Sequence, residues 1–137
     1  MDSPQRGGLI HAFFAERVAS KVPDVPADTP VRAIASAAIV GAGTMGAGIA
    51  QVAASAGHRV LLFDAAEGAA EKGIKHVQSG LEGLVARNKI SENRLVEIVG
   101  RISAISDLKA LAPANLVVEA IVENLEIKQK LFRDLEE

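Results

Sequence analysis

Residues 36–64 read SAAIVGAGTMGAGIAQVAASAGHRVLLFD, and the architecture follows from them. The short apolar run 37–40 stops at glycines, as a buried parallel strand does. A helix is predicted over 44–56, with Gly57 at its C-terminal stop. A second strand, Arg59–Phe63, follows this helix. The order strand, helix, strand predicts a parallel pair joined by a crossover helix.

The loop between the first strand and the helix is Gly41-Ala42-Gly43-Thr44-Met45-Gly46, a G-x-G-x-x-G pattern. Gly41 allows the tight turn, Gly43 lets the backbone approach a pyrophosphate, and Gly46 lets the helix pack close to the strand. Free N–H groups at the helix start then hold the phosphates. The pattern alone is common in sequences rich in alanine and glycine, so its place between strand and helix is what predicts a dinucleotide site. No Lys-Ser or Lys-Thr follows, which excludes a P-loop for nucleoside triphosphates.

Asp64 comes directly after the second strand, about 20 residues beyond the glycines. A carboxylate at this position accepts hydrogen bonds from the adenosine ribose hydroxyls and repels the 2′-phosphate of NADP. The next residues, Ala65 and Ala66, supply no arginine for that phosphate. We therefore expect NAD as the cofactor. The alternative is that Asp64 only ends the strand or caps the next helix.

The rest of the chain continues the alternation of helices and strands. The predicted elements are a helix over 65–87, a helix over 91–100 capped by Ser91, a strand over 102–105, one helical turn capped by Asp107, a strand over 116–121 and a helix from Asn124 to the chain end. This order predicts an α/β fold, a Rossmann-type doubly wound parallel sheet with helices on both faces. Because the last predicted helix runs to the chain end, we expect the domain to be truncated at its C-terminus.

The segment before residue 36 has a different character. Residues 1–8 are expected to be flexible, and helical spacing of apolar residues predicts an amphipathic helix over 9–22. Three prolines at positions 23, 26 and 30 then predict a stiff, extended linker. We expect two regions, an N-terminal helix with its linker over 1–35 and a dinucleotide-binding domain over 36–137.

Composition narrows the functional classes. The net charge of −2 gives no reason to expect nucleic acid or an anionic membrane as a partner, and the absence of cysteine excludes disulfides and thiolate chemistry. The uncharged run 33–57 is long enough to span a bilayer, but its glycines and polar residues argue against a span. No signal-peptide pattern is evident, so the cytoplasm or an organelle matrix is the expected location.

Few side chains outside the glycine loop suggest chemistry. The three histidines, His11, His58 and His76, lack a carboxylate at useful spacing, so we expect none to be a base or a ligand, and no metal site. Glu119 and Glu123 lie at or after the carboxyl end of the strand predicted over 116–121. In an open α/β sheet that edge is where ligands bind, so both carboxylates are candidates for cofactor contact.

The chain resembles the N-terminal NAD-binding domain of L-3-hydroxyacyl-CoA dehydrogenases, enzymes of fatty-acid β-oxidation. The segments that carry the resemblance are IVGAGTMGAGIAQ (39–51), the second strand with its aspartate (60–64), the long helix with residues 89–95, and LVVEAIVENLEIK (116–128). The last of these is the most specific to the family. Together they cover residues 36–137.

The resemblance implies site residues. It places Thr44 and Met45 in the cofactor loop, Glu123 and Lys128 at further NAD-contacting positions, and Arg87 where the family has a basic residue that reaches the CoA portion of the substrate. It also implies that the family's catalytic histidine and glutamate lie beyond residue 137, so that this chain alone is inactive. The alternatives are a 3-hydroxybutyryl-CoA or other hydroxyacid dehydrogenase, and a non-catalytic dinucleotide-binding module.

The N-terminal helix adds a second resemblance. Its segment HAFFAER (11–17) is similar to the connector between the hydratase and dehydrogenase parts of multifunctional β-oxidation proteins. This similarity implies that the chain was excised from such a protein. The expected partners are an acyl-CoA substrate, held together with the missing parts of the parent, and either an upstream enoyl-CoA hydratase domain or a second copy of the chain.

Overall fold

In the part of the chain that the structure describes, four parallel strands form a sheet in the order β3-β2-β1-β4. They are β1 (Ser36–Val40), β2 (Arg59–Phe63), β3 (Ile102–Ile105) and β4 (Leu116–Glu119). The chain runs outward from β1 through β2 to β3 and then returns to pair β4 with the other edge of β1. The winding direction therefore reverses between β1 and β4. The expected Rossmann-type parallel sheet is confirmed.

The structure is a computed structural model that describes residues 3–19, 21–26 and 28–136. Its contacts divide the chain into two units, Met1–Arg32 and Ala33–Glu137. The first unit contains α1 (Pro4–Ala19). The second unit contains α2 (Thr44–Ser55), α3 (Ala69–Ala86), α4 (Glu92–Gly100) and α5 (Leu125–Glu136). In the second unit a 3₁₀ helix, Leu108–Leu111, precedes β4.

β1 is buried along its whole length because helices cover both faces of the sheet. Ala37 and Ile39 point to one face, and Ala38 and Val40 point to the other. The first face packs against α2, α3 and α4, through buried residues that include Ala50, Val77, Leu81 and Ile98. The second face packs against the 3₁₀ helix and α5, through Leu111 and Leu131. A strand buried on both faces must be apolar throughout, which explains the uninterrupted run in the sequence.

The amino ends of β1 and β4 are joined by one amide side chain. Asn115 Oδ1 accepts hydrogen bonds from the backbone N–H groups of Ala35 (2.9 Å) and Ser36 (3.1 Å), and from Ser36 Oγ (3.3 Å). Asn115 N–H donates in return to the Ser36 carbonyl at 3.1 Å. Ser36 is buried, so these bonds satisfy polar atoms that water does not reach.

The N-terminal helix differs from its prediction. α1 spans Pro4–Ala19 rather than 9–22, so residues 4–8 are helical where a flexible start was expected. Ser3 caps the helix, since its Oγ accepts a hydrogen bond from the N–H of Arg6 at 3.2 Å, and Pro4 follows as the first helical residue. Serine before proline is a favourable helix start, and it outweighs the two glycines that follow. Met1, Asp2 and Ser20, which also fall in those predicted segments, lie outside the described residues.

Two other boundaries shift because acidic side chains take backbone N–H groups. α3 begins at Ala69 rather than at residue 65, since Asp64 Oδ1 accepts from the N–H of Ala66 at 2.9 Å and Gly68 adopts a left-handed conformation. β4 ends at Glu119 rather than at residue 121. The remaining predicted elements of the second unit form within two residues of their expected bounds, and Glu137 lies outside the described residues.

The uncharged run 33–57 divides into β1, the glycine loop and the 12-residue α2. Among the described residues, no helix combines the length and the hydropathy that a membrane span requires.

Candidate cofactor site

Gly41 ends β1 in a conformation that only glycine adopts without strain. Its φ is +105°, and its N–H donates to the Phe63 carbonyl at 2.8 Å. A Cβ on Gly41 would lie 2.5 Å from the carbonyl oxygen of Ala120, the residue after β4. The loop therefore crosses the sheet edge in direct contact with the ends of β2 and β4.

Gly46 brings α2 onto this loop. A Cβ on Gly46 would overlap the carbonyl oxygen of Gly41 and would lie 3.6 Å from Ala120 Cβ. Gly48 lies in the same helix, yet a Cβ there would meet nothing within 4 Å. The requirement for glycine is thus specific to the helix face that meets the loop.

The first turn of α2 is open to a ligand. Gly43, Thr44 and Met45 are exposed, and a Cβ on Gly43 would find nothing of the chain within 4 Å. Among the described residues no side chain caps this helix start, and its first turn holds no acid. Free N–H groups and the positive end of the helix dipole make this an anion site, which suits a pyrophosphate.

Asp64 holds the loop from the β2 side. Its Oδ2 accepts the N–H of Ala42 at 2.7 Å, while Oδ1 bonds the N–H of Ala66. A carboxylate has about four acceptor positions, so lone pairs remain for ribose hydroxyls. Asp64 also lines a second cavity of about 340 Å³ together with Glu67 and Glu71. Three carboxylates beside one cavity disfavour a ribose that carries a 2′-phosphate.

Lys128 of α5 joins two carboxylates. Its Nζ lies 2.8 Å from Glu123 Oε2 and 3.1 Å from Glu119 Oε2. The hydrogen bond to Glu123, followed by that to Glu119, raises the pKa of Lys128 above its ordinary value, so the ammonium group stays charged. The structure thus brings together the two positions that the family resemblance implied, and adds Glu119 to them.

The glycine loop, Asp64 and the residues that follow β4 line one cleft of about 490 Å³ at the carboxyl edge of the sheet, whereas Glu119, Glu123 and Lys128 lie outside its lining. It lies where the winding reverses between β1 and β4, the place where open α/β sheets bind ligands. Its lining includes Gly41, Gly43, Asp64, Ala120, Ile121 and Lys130. The volume falls within the range of sites for small molecules and cofactors.

Arg87 does not join this group. It follows the last residue of α3, and its Nε donates to the Gly83 carbonyl at 2.8 Å, so the side chain folds back along its own helix. A helix of 18 residues places it about 27 Å from the first turn of α3. A role of Arg87 toward CoA therefore stays a prediction.

Two of the three histidines, His58 and His76, belong to the same unit as the cleft and do not line it. His58 precedes β2 at the amino edge of the sheet, His76 is exposed on α3, and His11 is exposed on α1. Within the described ranges, no group of three histidine or carboxylate side chains could hold a metal ion.

The fold and the cleft together define a dinucleotide-binding domain of the Rossmann type. A sequence model of 3-hydroxyacyl-CoA dehydrogenase, NAD binding domain, matches residues 36–137. The chain belongs to this family, and the prediction of NAD as cofactor is confirmed.

Three relatives illustrate the match. The 3-hydroxyadipyl-CoA dehydrogenase of Escherichia coli (strain K12) is 42% identical over 104 residues, which are 76% of this chain and 22% of that protein. A peroxisomal fatty acid beta-oxidation multifunctional protein of Oryza sativa subsp. japonica is 33% identical over 135 residues, 98% of this chain and 19% of that protein. The crystal structure of (S)-3-hydroxybutyryl-CoA dehydrogenase from Ralstonia eutropha superposes with a TM-score of 0.73 at 35% identity, covering 76% of this chain and 37% of that one. The chain thus spans about a fifth of the length of the two curated relatives.

Sequence reasoning missed what holds the loop in place. It expected Asp64 to face ribose or cap a helix, but not to bond the N–H of Ala42. It placed Glu119 at the edge without connecting it to Lys128, nine residues later. Nine residues separate Glu119 from Lys128, and this spacing alone predicts an ion pair only weakly. Two such residues meet only when the turn between strand and helix brings their side chains together.

The two glycines of α2 should respond oppositely to alanine. Gly46→Ala should destabilise the domain by about 2–3 kcal/mol, because the new Cβ overlaps a backbone carbonyl that cannot move aside. Gly48→Ala should stabilise it by about 0.5–1 kcal/mol through helix propensity. Urea unfolding of both variants measures the difference, and equal stabilities would contradict the packing described for Gly46.

Proposed function

We propose that this chain is the cofactor-binding part of an NAD-dependent 3-hydroxyacyl-CoA dehydrogenase within a multifunctional fatty-acid β-oxidation protein. The parent would oxidise an L-3-hydroxyacyl-CoA to the 3-ketoacyl-CoA. NAD supplies the hydride acceptor for that reaction. The function of this chain would be to bind and orient the cofactor. The open first turn of α2 and the cleft beside it support this proposal.

The observation that carries the multifunctional context is the extent of the similarity. The match to the rice multifunctional protein covers 98% of the chain and must include nearly all of the segment before Ser36. The match to the E. coli 3-hydroxyadipyl-CoA dehydrogenase covers 76%, about the length of the NAD-binding domain alone. The helix and linker over 1–35 are therefore a feature shared with multifunctional relatives.

Each site residue has a proposed task. The N–H groups of Thr44 and Met45, beside Gly43, hold the pyrophosphate. Asp64 accepts the adenosine ribose hydroxyls with the lone pairs that the N–H groups of Ala42 and Ala66 leave free. Glu123, with a side chain that is 92% exposed, follows the cleft-lining residue Val122 and contacts the cofactor, and Lys128 orients it.

A second candidate is a 3-hydroxybutyryl-CoA dehydrogenase. Its support is that the structure with this name from Escherichia coli is 41% identical to the chain, with a TM-score of 0.73. A third candidate is a non-catalytic dinucleotide-binding module, which would apply if the parent protein lacked the catalytic histidine and glutamate. For the cell compartment we propose the cytoplasm, whereas the rice relative is named as peroxisomal.

The proposed role of Asp64 predicts cofactor selectivity. The chain should bind NAD much more tightly than NADP. Asp64→Ala should lose roughly 1–3 kcal/mol of NAD binding free energy, and the difference between its affinities for NAD and NADP should become smaller. Asp64→Asn keeps an acceptor oxygen without the charge, so it should lose less NAD affinity and still relax toward NADP. Calorimetric titration with both cofactors measures this. Equal binding of NAD and NADP by the unaltered chain would contradict the assignment.

We expect the chain by itself to bind NADH without reducing acetoacetyl-CoA. Among the described residues no histidine lines the cleft, and a missing general base costs about 10²–10⁴-fold in rate. The loss of NADH absorbance measures turnover, and NADH fluorescence on binding serves as the control that the site is formed. Steady turnover that survives further purification would refute the prediction, and His11→Ala, His58→Ala and His76→Ala variants would then locate the base.

The exposed stripe of α1 predicts a macromolecular partner. Phe13, Phe14 and Val18 are all more than half exposed, and such stripes mark interfaces. We propose that the stripe packs against an upstream enoyl-CoA hydratase domain in the parent and self-associates when that domain is absent. Sedimentation should therefore show larger species for the whole chain than for a form without residues 1–30. A Phe13→Ser, Phe14→Ser double variant should sediment like the shortened form, and a whole chain that stays monomeric at high concentration would overturn this proposal.

A further inference from the structure

Glu119 is the last residue of β4, and its side chain is only 16% exposed. Its two carboxylate oxygens have different partners. Oε1 accepts the backbone N–H of Ile121 at 2.7 Å, and Oε2 forms the ion pair with Lys128 Nζ at 3.1 Å. One half-buried carboxylate thus ties the end of a strand both to the next turn and to α5.

The bond to Ile121 fixes the peptide under the glycine loop. Ala120 N–H donates to the Val40 carbonyl at 2.8 Å, and the Ala120 carbonyl is the group that a side chain at Gly41 would strike. With the Ile121 N–H held by Glu119, both ends of this short segment are fixed. The loop that carries the free N–H groups therefore rests on a surface that Glu119 stabilises.

The bond to Lys128 fixes the ammonium group. Lysine carries a compact charge on a flexible four-carbon stem, so its position depends on what holds it. Of the two carboxylate partners of Lys128, the side chain of Glu119 is 16% exposed and that of Glu123 is 92% exposed, so Glu119 is the more firmly packed one. Glu123 then bonds an ammonium group that is already held in place.

We propose that Glu119 is a positioning residue for NAD, which holds Lys128, and through it Glu123, next to the cleft-lining residues Ile121 and Val122 while supporting the turn beneath the glycine loop. This inference rests on the proposed roles of Glu123 and Lys128 toward the cofactor. Glu119 itself faces the backbone and Lys128, so it acts through them and does not contact NAD.

Glutamine and alanine at this position separate the two contacts. Glu119→Gln keeps an oxygen that accepts the Ile121 N–H but loses the ion pair with Lys128, and Glu119→Ala loses both. We expect NADH to bind about tenfold more weakly to Glu119→Gln and more weakly still to Glu119→Ala. As a control, Glu126→Gln removes a charge from the exposed first turn of α5, where Glu126 has no contact with Lys128. The NADH dissociation constant of this variant should stay within about twofold of that of the unaltered chain. NADH fluorescence titration measures all of these constants.

Two readouts distinguish positioning from a general loss of structure. A double-mutant cycle with Lys128→Met should be non-additive, so that Glu119→Gln has no further effect once the ammonium group is gone. The NMR signal of the Lys128 ammonium group in the chain without cofactor should lose its protection in Glu119→Gln but keep it in Glu126→Gln. Thermal unfolding of each variant checks that the fold is retained.

The outcomes are separable. If Lys128→Met weakens NADH binding and Glu119→Gln does not, the proposed site stands and the role of Glu119 is wrong. The role of Glu119 is also wrong if the effects of Glu119→Gln and Lys128→Met on NADH binding are additive, or if the ammonium signal is unchanged in Glu119→Gln. If Lys128→Met itself binds NADH as tightly as the unaltered chain, then the proposed role of Lys128 toward the cofactor fails, and the inference about Glu119 fails with it.

Discussion

Where the loop after β1 crosses the end of β4, the backbone of Gly41 lies against the carbonyl of Ala120, with no room for a single carbon atom between them. The same glycine donates its N–H to Phe63 at the end of β2. Three strands are thereby held at one point of the sheet edge. α2 can start in that position only because Gly46 presents no side chain to the loop. The open N–H groups of its first turn and the cleft beside them follow from this packing.

The β-α-β unit could be predicted from the sequence because its signals are local. An apolar run, a glycine loop and an acidic residue about 20 residues later each constrain one element, and the structure places Arg59–Phe63 where the pattern did. The family resemblance added Glu123 and Lys128, which do meet. Asn115 was not predicted, because its three bonds reach residues about 80 positions away and depend on the pairing of β1 with β4.

Boundaries were less predictable, and the reason is a competition for backbone N–H groups. Periodicity alone extends the third helix back to residue 65, but Asp64 takes the N–H of Ala66 and delays the helix until Ala69. At α1 a side chain lengthens the helix instead of shortening it. Ser3 Oγ accepts the N–H of Arg6, and the helix therefore begins in residues that were expected to be flexible. Side-chain caps of this kind are single contacts, and hydrophobic patterning does not register them.

The same caps determine the charge of the site. Asp64 after β2, Asp107 after β3 and Glu119 at the end of β4 each accept the N–H two residues later. This arrangement diverts the chain from its strand, and it also gathers carboxylates along the edge where an anionic cofactor binds. β1 is the exception, because it ends in glycines and leads into a helix whose first turn holds no acid. The start of α2 therefore offers phosphates free N–H groups with no carboxylate in its first turn, whereas ribose hydroxyls, which are hydrogen-bond donors, find acceptors at the carboxylates that follow the other strands. The way each strand ends thus assigns the parts of a dinucleotide to different points of one sheet edge.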